Sequence, residues 1–538
     1  LRYERETSVD DNNNFGPRIG VAWSPFSKNE GVIRFGAGIF YNRTLLRTIA
    51  DFIQNTNGVV PFDTNSIGTS GTDPRRTAVL NAISQQFPNS FASQTELQTL
   101  VGNVCSTLTT SLPCNNNTGF IINPGSAGNP LRSVNPDLKI PESYQFNVGF
   151  ERKLAKGLVF EINYTVNKTV HLWRDININV PVLPAGFDDW TAYLLANPFQ
   201  LSPTRRYTFY LGSTNDGIGI TTAMNGVIAC GTTTANCFVN LNTTSSSAIT
   251  PQVAVTGNNN NATGGPIGIA LAAIARFRPN QNFEEQSQIN SVGNAFYQGL
   301  ILELRSRFRK FGNGFGGSMR FAYTLSSTQD DGLNNKSNAE INGDFSREFT
   351  RNVQDRRHRI AFSGTFDTPV WLGKLRFSPL FRAGSSAPFN LGNGGDDRNL
   401  DDLGTDRLNF SGNLSDIVYR EPGSPFPQQL VDQFSLAPIG ARGGNLPRNS
   451  GTGPSFFTFD LNVSREFRFK ERMKLRPTIE FDNILNASVF SYGAAFIDFD
   501  GIGSNASAAT IQNFRDRFLV PTRTYRQRQI RLGIRFDF

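Results

Sequence analysis

Apolar and polar residues trade places one by one along much of this chain. Tyr144, Phe146, Val148 and Phe150 share one parity, while Gln145, Asn147, Gly149 and Glu151 share the other. After Ala155-Lys156-Gly157 the pattern resumes, with Leu158, Phe160, Ile162, Tyr164 and Val166 set against Glu161, Asn163, Thr165 and Asn167. The same alternation runs through 33–41, 300–308, 315–325, 360–366, 375–381, 457–467, 475–481 and 530–538. A period of two sends successive side chains to opposite faces of a strand. These runs are about 10 to 14 residues long, against roughly five or six for a soluble strand. One face is apolar and the other carries Glu, Asp, Arg, Asn and Gly. That is how a membrane-spanning barrel strand reads, with its lipid side apolar and its lumen side polar.

The connections support the same reading. Short turns fall at Ala155-Lys156-Gly157, Gly312-Asn313-Gly314, Leu372-Gly373 and Lys470-Glu471. Long loops are predicted at about 42–142, 174–290, 328–357, 387–454 and 488–522. Short and long alternate throughout. In outer-membrane barrels the short turns face the periplasm and the long loops face outside. The fold class expected is therefore all-β, a transmembrane antiparallel β-barrel, with residues 1–538 as one barrel unit. Leu1 to Glu4 reads as the tail of a further strand, which makes about twelve strands in all. A strand cut short in this way implies that more lie upstream and that the chain is the C-terminal part of a larger barrel.

Composition changes the picture in three ways. Phe occurs 46 times against 12 Tyr and 4 Trp, yet mean hydropathy is −0.31. So much aromatic surface argues against disorder. The longest helix-like apolar stretch, 268–275, falls far short of the roughly 20 residues that a spanning helix needs. A net charge of +8 is modest and its sites are scattered, so no nucleic-acid partner is expected. With His171 and His358 as the only histidines, nothing gathers a nucleophile, a base and an orienting group. No enzyme activity and no cofactor are expected.

Four features could carry chemistry. The cysteines form two local pairs, Cys105/Cys114 and Cys230/Cys237, each inside one predicted outer loop. In an oxidising compartment they would close short loops; free thiols are the plain alternative. Asp396, Asp397, Asn399, Asp401, Asp402 and Asp406 form an acidic cluster, and Asp397-x-Asn399-x-Asp401 has the oxygen spacing of a calcium loop. Gly404 comes too late for that turn, however, and Leu408 stands where the bidentate Glu belongs. A solvated loop, or carboxylates paired with Arg398 and Arg407, is the plainer reading. Asp355-Arg356-Arg357-His358-Arg359 could meet lipopolysaccharide phosphates at the outer rim or pair with carboxylates such as Glu348. Gly312 to Gly317 resembles a phosphate-cradling loop only superficially, since a strand follows it and no helix does.

Several segments resemble the barrel region of Oar-like TonB-dependent outer-membrane receptors. They are Asn13-Asn14-Phe15-Gly16-Pro17-Arg18-Ile19-Gly20-Val21-Ala22-Trp23-Ser24-Pro25, then Ile33 through Tyr41, then Pro141 through Gly149. Asp355-Arg356-Arg357-His358-Arg359-Ile360 is similar to a strand opening of that family, and Phe481-Asp482-Asn483-Ile484-Leu485-Asn486 to a late-barrel segment. The resemblance implies a barrel of about 22 strands or more. It also implies an upstream plug, coupling to TonB through that missing region, and an unknown ligand bound at the outer loops. The last strand, with Ile530, Leu532, Ile534, Phe536 and Phe538 on one parity, is similar to the signal that barrel-assembly machinery reads. Outer-membrane lipid and lipopolysaccharide are the surroundings such a barrel would meet, in a Gram-negative bacterium. A surface adhesin and a passive porin are the alternatives.

Overall fold

The computed structural model describes residues 14–26, 30–42, 73–85, 94–108, 114, 131–197, 199–202, 205–215, 221–229, 270–271, 274–280, 285–334, 337–392, 397–469, 473–491, 497–498, 508–525 and 527–538. Fourteen strands make one sheet. Eleven are long staves whose order in the sheet is their order in the chain. They are β1 (Arg18–Trp23), β2 (Gly31–Tyr41), β3 (Glu142–Ala155), β4 (Leu158–Asn177), β5 (Gln286–Lys310) and β6 (Gly316–Asp330). There follow β7 (His358–Asp367), β8 (Leu375–Gly384), β9 (Phe456–Arg465), β10 (Met473–Asp482) and β11 (Gln529–Asp537). The other three are stubs: Leu131–Val134 along β5, Thr350–Arg351 along β6, and Phe467–Phe469, which continues β9 beyond Glu466.

Every stave-to-stave pairing is antiparallel. This is the up-and-down meander that alternating short and long connections require. At the first tight turn Ala155 pairs with Leu158, and Gly157 adopts φ +77°, a left-handed conformation open to glycine at little cost. β1 pairs only with β2 and β11 only with β10, so the sheet of described residues is open at both edges. The strand remnant expected at Leu1 to Glu4 lies outside the described residues.

The face carrying Tyr144, Phe146, Val148, Phe321, Ile479 and Leu532 is exposed, so the wall has no protein core on that side. The protein's core lies instead at the long-loop end. The staves there are longer than their alternation suggests, because β4 and β5 run on past the regular pattern. The register between them shifts at Thr169/Leu172 and again at Leu172/Arg174. His171 sits in this bulge with φ +58°. The predicted loop 174–290 therefore begins four residues too early, with β4 reaching Asn177, and ends too late, with β5 opening at Gln286. The long loops also hold helices that two-residue periodicity gave no sign of, among them Pro74–Gln85, Gln94–Ser106, Trp190–Ala196 and Ala508–Arg517.

Candidate functional site: the loop cap and the polar wall

The long loops fold against one another into a packed cap. One core gathers Phe389, Leu391, Leu408, Phe410, Ile417 and Phe434 from the 387–454 loop with Phe514, Phe518 and Leu519 from the last loop. A second joins Trp190, Tyr193, Leu194 and Ile274 to Leu400 and Ile439. Asp189 starts the helix Trp190–Ala196 by accepting the Ala192 amide at 2.8 Å. The same helix is pinned to the neighbouring loop, with the Thr191 hydroxyl donating to the Ile439 carbonyl at 2.7 Å. Gly440, at φ +88°, lets the two backbones meet, since a Cβ there would lie 2.6 Å from the Thr191 nitrogen.

Buried ion pairs fasten the loops of the cap to the stave ends and to one another. Arg174 is among the largest fully buried side chains and donates to Asp331, at 2.9 Å from Nε and 2.6 Å from Nη2. Arg407 bridges Glu340 at 2.6 Å and Glu348 at 2.8 Å. Arg448 holds Asp330, and Arg278 holds Asp402. Paired guanidinium and carboxylate groups are the form in which charge is tolerated in a protein interior.

The acidic cluster lies within this cap. Asp397, Asp401 and Asp406 are buried, so this is no solvated loop, and Arg407 turns to Glu340 and Glu348. The carboxylates serve amides of their own loop. Asp397 accepts from the Asp401 and Asp402 amides at 3.0 and 2.8 Å, and Asp401 from Leu403 at 3.0 Å. Asp406 accepts from the amides of Arg398 and Asn399, while its Oδ1 is buried without a hydrogen-bond partner. Burial, then the nearby Asp402 charge, pushes Asp397 up to about 7; burial and neighbouring carboxylates raise Asp401 and Asp406 as well. Asn399 donates to the Glu340 carbonyl and, at 3.1 Å, to Asp401. Among the described residues no group of three or more His, Cys, Asp and Glu side chains has metal-holding geometry.

The remaining candidates are spread over the molecule. Cys105 and Cys114 are joined as a disulfide with Cα atoms 5.3 Å apart, beside Val79 and Val101. Cys230 and Cys237 lie outside the described residues. The Arg356 guanidinium donates to the Ser385 carbonyl at 2.5 Å and covers the Phe456 ring at 4.8 Å. Glu348, the carboxylate considered for this segment, is held instead by Arg407 and Arg448. Phe538 is 94% exposed at the short-turn end, its ring stacked on Phe536. Ile530, Leu532 and Ile534 are exposed on the same stave, which places the five residues together along the outward side of one edge.

The polar face of the staves carries a charge ladder. Glu151, Glu161 and Glu303 lie directly opposite one another across β3, β4 and β5. Like charges so placed repel. Arg34 reaches Glu151 at 3.0 Å, Arg305 reaches it at 3.1 Å, and Arg320 reaches Glu303 at 2.7 Å. On β8 and β9, Arg382 pairs with Asp460 at 3.0 Å.

A family model described as outer membrane beta barrel domain matches residues 2–530. The chain belongs to this family. This outer-membrane barrel thus has an apolar face turned to lipid, a polar face turned to the lumen, and its long loops gathered at one end. No helix among the described residues is long and apolar enough to cross a membrane. No curated protein matches the barrel's sequence. Among solved structures it is similar to the outer membrane transporter YddB from Escherichia coli, with 9% identity and a TM-score of 0.42 over 99% of this chain and 42% of that one. It is also similar to the siderophore receptor PiuA from Acinetobacter baumannii, with 8% identity and a TM-score of 0.32 over 97% and 35% of the two chains. For a ferric enterobactin receptor from Pseudomonas aeruginosa the values are 11% identity and a TM-score of 0.36, over 97% and 40%. The chain thus spans about two-fifths of the length of these proteins.

Sequence periodicity missed the cap chemistry. Arg278, Arg407 and Arg448 fall in irregular segments and Arg174 in the bulged end of β4, and each finds its carboxylate far away in the chain. A signal was present in the spaced apolar residues Phe389, Leu391, Leu408, Phe410 and Phe434, which a solvated loop has no use for.

Proposed function

We propose that this barrel is part of an Oar-like TonB-dependent receptor. It binds a ligand at its loop cap and passes it along the charged lumen wall when an upstream plug moves. The observation that carries this reading is the pairing of a packed, multi-loop cap with a polar wall beneath it. A porin needs an open mouth, whereas a selective receptor needs preorganised surface above its channel. The open edges of the sheet accord with a larger barrel of about 22 strands. TonB is the coupling partner and the barrel-assembly machinery the folding partner, with Phe538 and its alternate neighbours as the assembly signal.

Liposome swelling in a neutral sugar tests the reading on the full-length protein. Sealed liposomes are expected; free sugar entry would identify a porin. Photocrosslinking of the upstream segment to TonB in cells is the second arm, and a loss of crosslinking in energised cells would leave an adhesin. Deletion of Phe538 is expected to reduce the yield of heat-modifiable, folded protein in the membrane fraction, and an unchanged yield would remove the assembly role.

A further inference from the structure

We propose that Arg356 and Arg359, at the head of the lumen wall, bind an oxyanion carried by the transported ligand, either a carboxylate or a phosphate. That assignment rests on the transport reading above and names the chemical class of its ligand. The register fixes the place. Arg359, near the start of β7, lies opposite Gly384 at the end of β8, and Gly384 lies opposite Phe456 at the start of β9. Directly opposed residues share a face of the sheet. Ile360, Ala383 and Phe457 form the adjoining row on the other, apolar face, where Phe457 is exposed. Arg359 and Phe456 therefore belong to the lumen side, at the stave ends where the 387–454 loop of the cap begins.

Glycine at position 384 makes room for the second arginine. A Cβ there would lie 2.5 Å from the Phe456 ring and 3.2 Å from Arg356 Cδ, so Arg356 crosses the lumen side in the space that a side chain would fill. Its guanidinium covers the Phe456 ring at 4.8 Å, and Nη1 donates to the carbonyls of Ser385 and Pro454 at 2.5 and 3.3 Å. Arg359 is exposed and donates from Nη2 to the Gln354 carbonyl at 3.2 Å. These acceptors are neutral. Among the described residues they leave Nε and Nη2 of Arg356, and Nε and Nη1 of Arg359, for another acceptor.

Charge decides the class of ligand. Elsewhere on this face Arg34 holds Glu151, Arg320 holds Glu303 and Arg382 holds Asp460. Neither Arg356 nor Arg359 forms an ion pair among the described residues. Asp355, next to Arg356 in the chain, is buried and already spent on Arg351 at 2.8 Å and on the Thr328 amide at 2.9 Å. Asp460 is spent on Arg382 at 3.0 Å and on the Asn483 amide at 2.8 Å. Burial, then the nearby Arg359 charge, lowers the Arg356 pKa, and no carboxylate offsets that charge. Two guanidinium groups that repel each other and keep forked N–H donors free call for an oxyanion, which accepts from both at once.

The test is arginine footprinting of the full-length protein in neutral detergent, with phenylglyoxal as the reagent and peptide mass spectrometry as the readout. Citrate and inorganic phosphate at millimolar concentration are the probes; chloride at matched ionic strength and a neutral sugar are the controls. Arg359 is expected to react in the free protein and to be protected several-fold by a probe, and the probe that protects it tells a carboxylate site from a phosphate site. Arg382, already held by Asp460, should react at one rate throughout. In Arg356→Gln the same protection of Arg359 should need about ten-fold more probe, one of two charge-assisted contacts being lost. Arg356→Lys should keep most of it, and heat-modifiable mobility on gels checks that each variant is folded. Absence of protection by either probe would overturn the proposal, as would equal protection by chloride. So would an Arg359 that is unreactive before any anion is added, because a carboxylate of the protein then holds it. Sealed liposomes without protection would strike the anion site alone, whereas sugar entry would strike the transport reading and this assignment with it.

Discussion

The barrel wall and the loop cap are built on opposite principles, although the same chain supplies both. Wall residues such as Phe146, Val148 and Leu532 are exposed because their packing partner is lipid. Cap residues such as Phe434, Leu408 and Phe518 are buried among one another, as in a small water-soluble domain. Charges divide in the same way. On the wall Arg34 meets Glu151 with half of its side chain exposed, whereas in the cap Arg407 meets Glu340 almost out of contact with water. The wall can thus persist while the cap changes, and the cap carries the cost of any error in its interior.

Substitutions can break that comparison. The largest effect is expected from Arg407→Met, which leaves Glu340 and Glu348 buried without their shared cation and costs about 3–5 kcal/mol of cap stability. Hydrogen exchange should show peptides of 397–446 losing protection while the staves keep theirs; parallel loss in both would mean that cap and wall unfold as one. Phe434→Ala comes next, opening a cavity worth roughly 3–5 kcal/mol in the first cap core. The same truncation at Phe146 should shift the melting temperature far less, because lipid chains can fill the space.

A change of pH sharpens the contrast. Asp397 ionises near 7 in the folded cap against an ordinary 3.8, so the folded state holds a proton that the unfolded chain has released. The cap should therefore be least stable above pH 7 and gain stability as pH falls towards 4, with the raised Asp401 and Asp406 adding to the gain. Amide protection in 397–406 measured between pH 7.5 and 5 would check the sign, and a fall on acidification would contradict it. The smallest effect belongs to the wall: Arg34→Ala should change unfolding by no more than about 1 kcal/mol, since the pair is half exposed. A larger loss would show that the ladder of Glu151, Glu161 and Glu303 is held by its arginines more tightly than exposure suggests.

Legibility in the sequence follows the same division. The staves around Tyr144, Leu158, Phe321 and Phe459 could be read because each strand's pattern is local: membrane on one side and lumen on the other impose a two-residue period whatever the rest of the chain does. The acidic run from Asp397 to Asp406 could be seen as a cluster, but its burial could not. What buries it are Glu340, Asn342 and Ile439, residues remote in sequence. Local spacing does not say which distant groups will arrive, and Glu340 and Glu348, not the neighbouring aspartates, are what Arg407 meets.

By itself, then, the sequence determined the wall: its strand order, its lipid and lumen faces, and the end at which the long loops gather. Short-range alternation and turn residues suffice for that, because each stave pairs with the next one in the chain. Only the tertiary structure decided that the loops form a packed cap, that buried pairs of Arg174, Arg407 and Arg448 tie its loops to the stave ends and to one another, and that β4 bulges at His171. Those features depend on contacts between segments far apart in the chain. Their partners are chosen by shape and charge once the wall has brought the loops together.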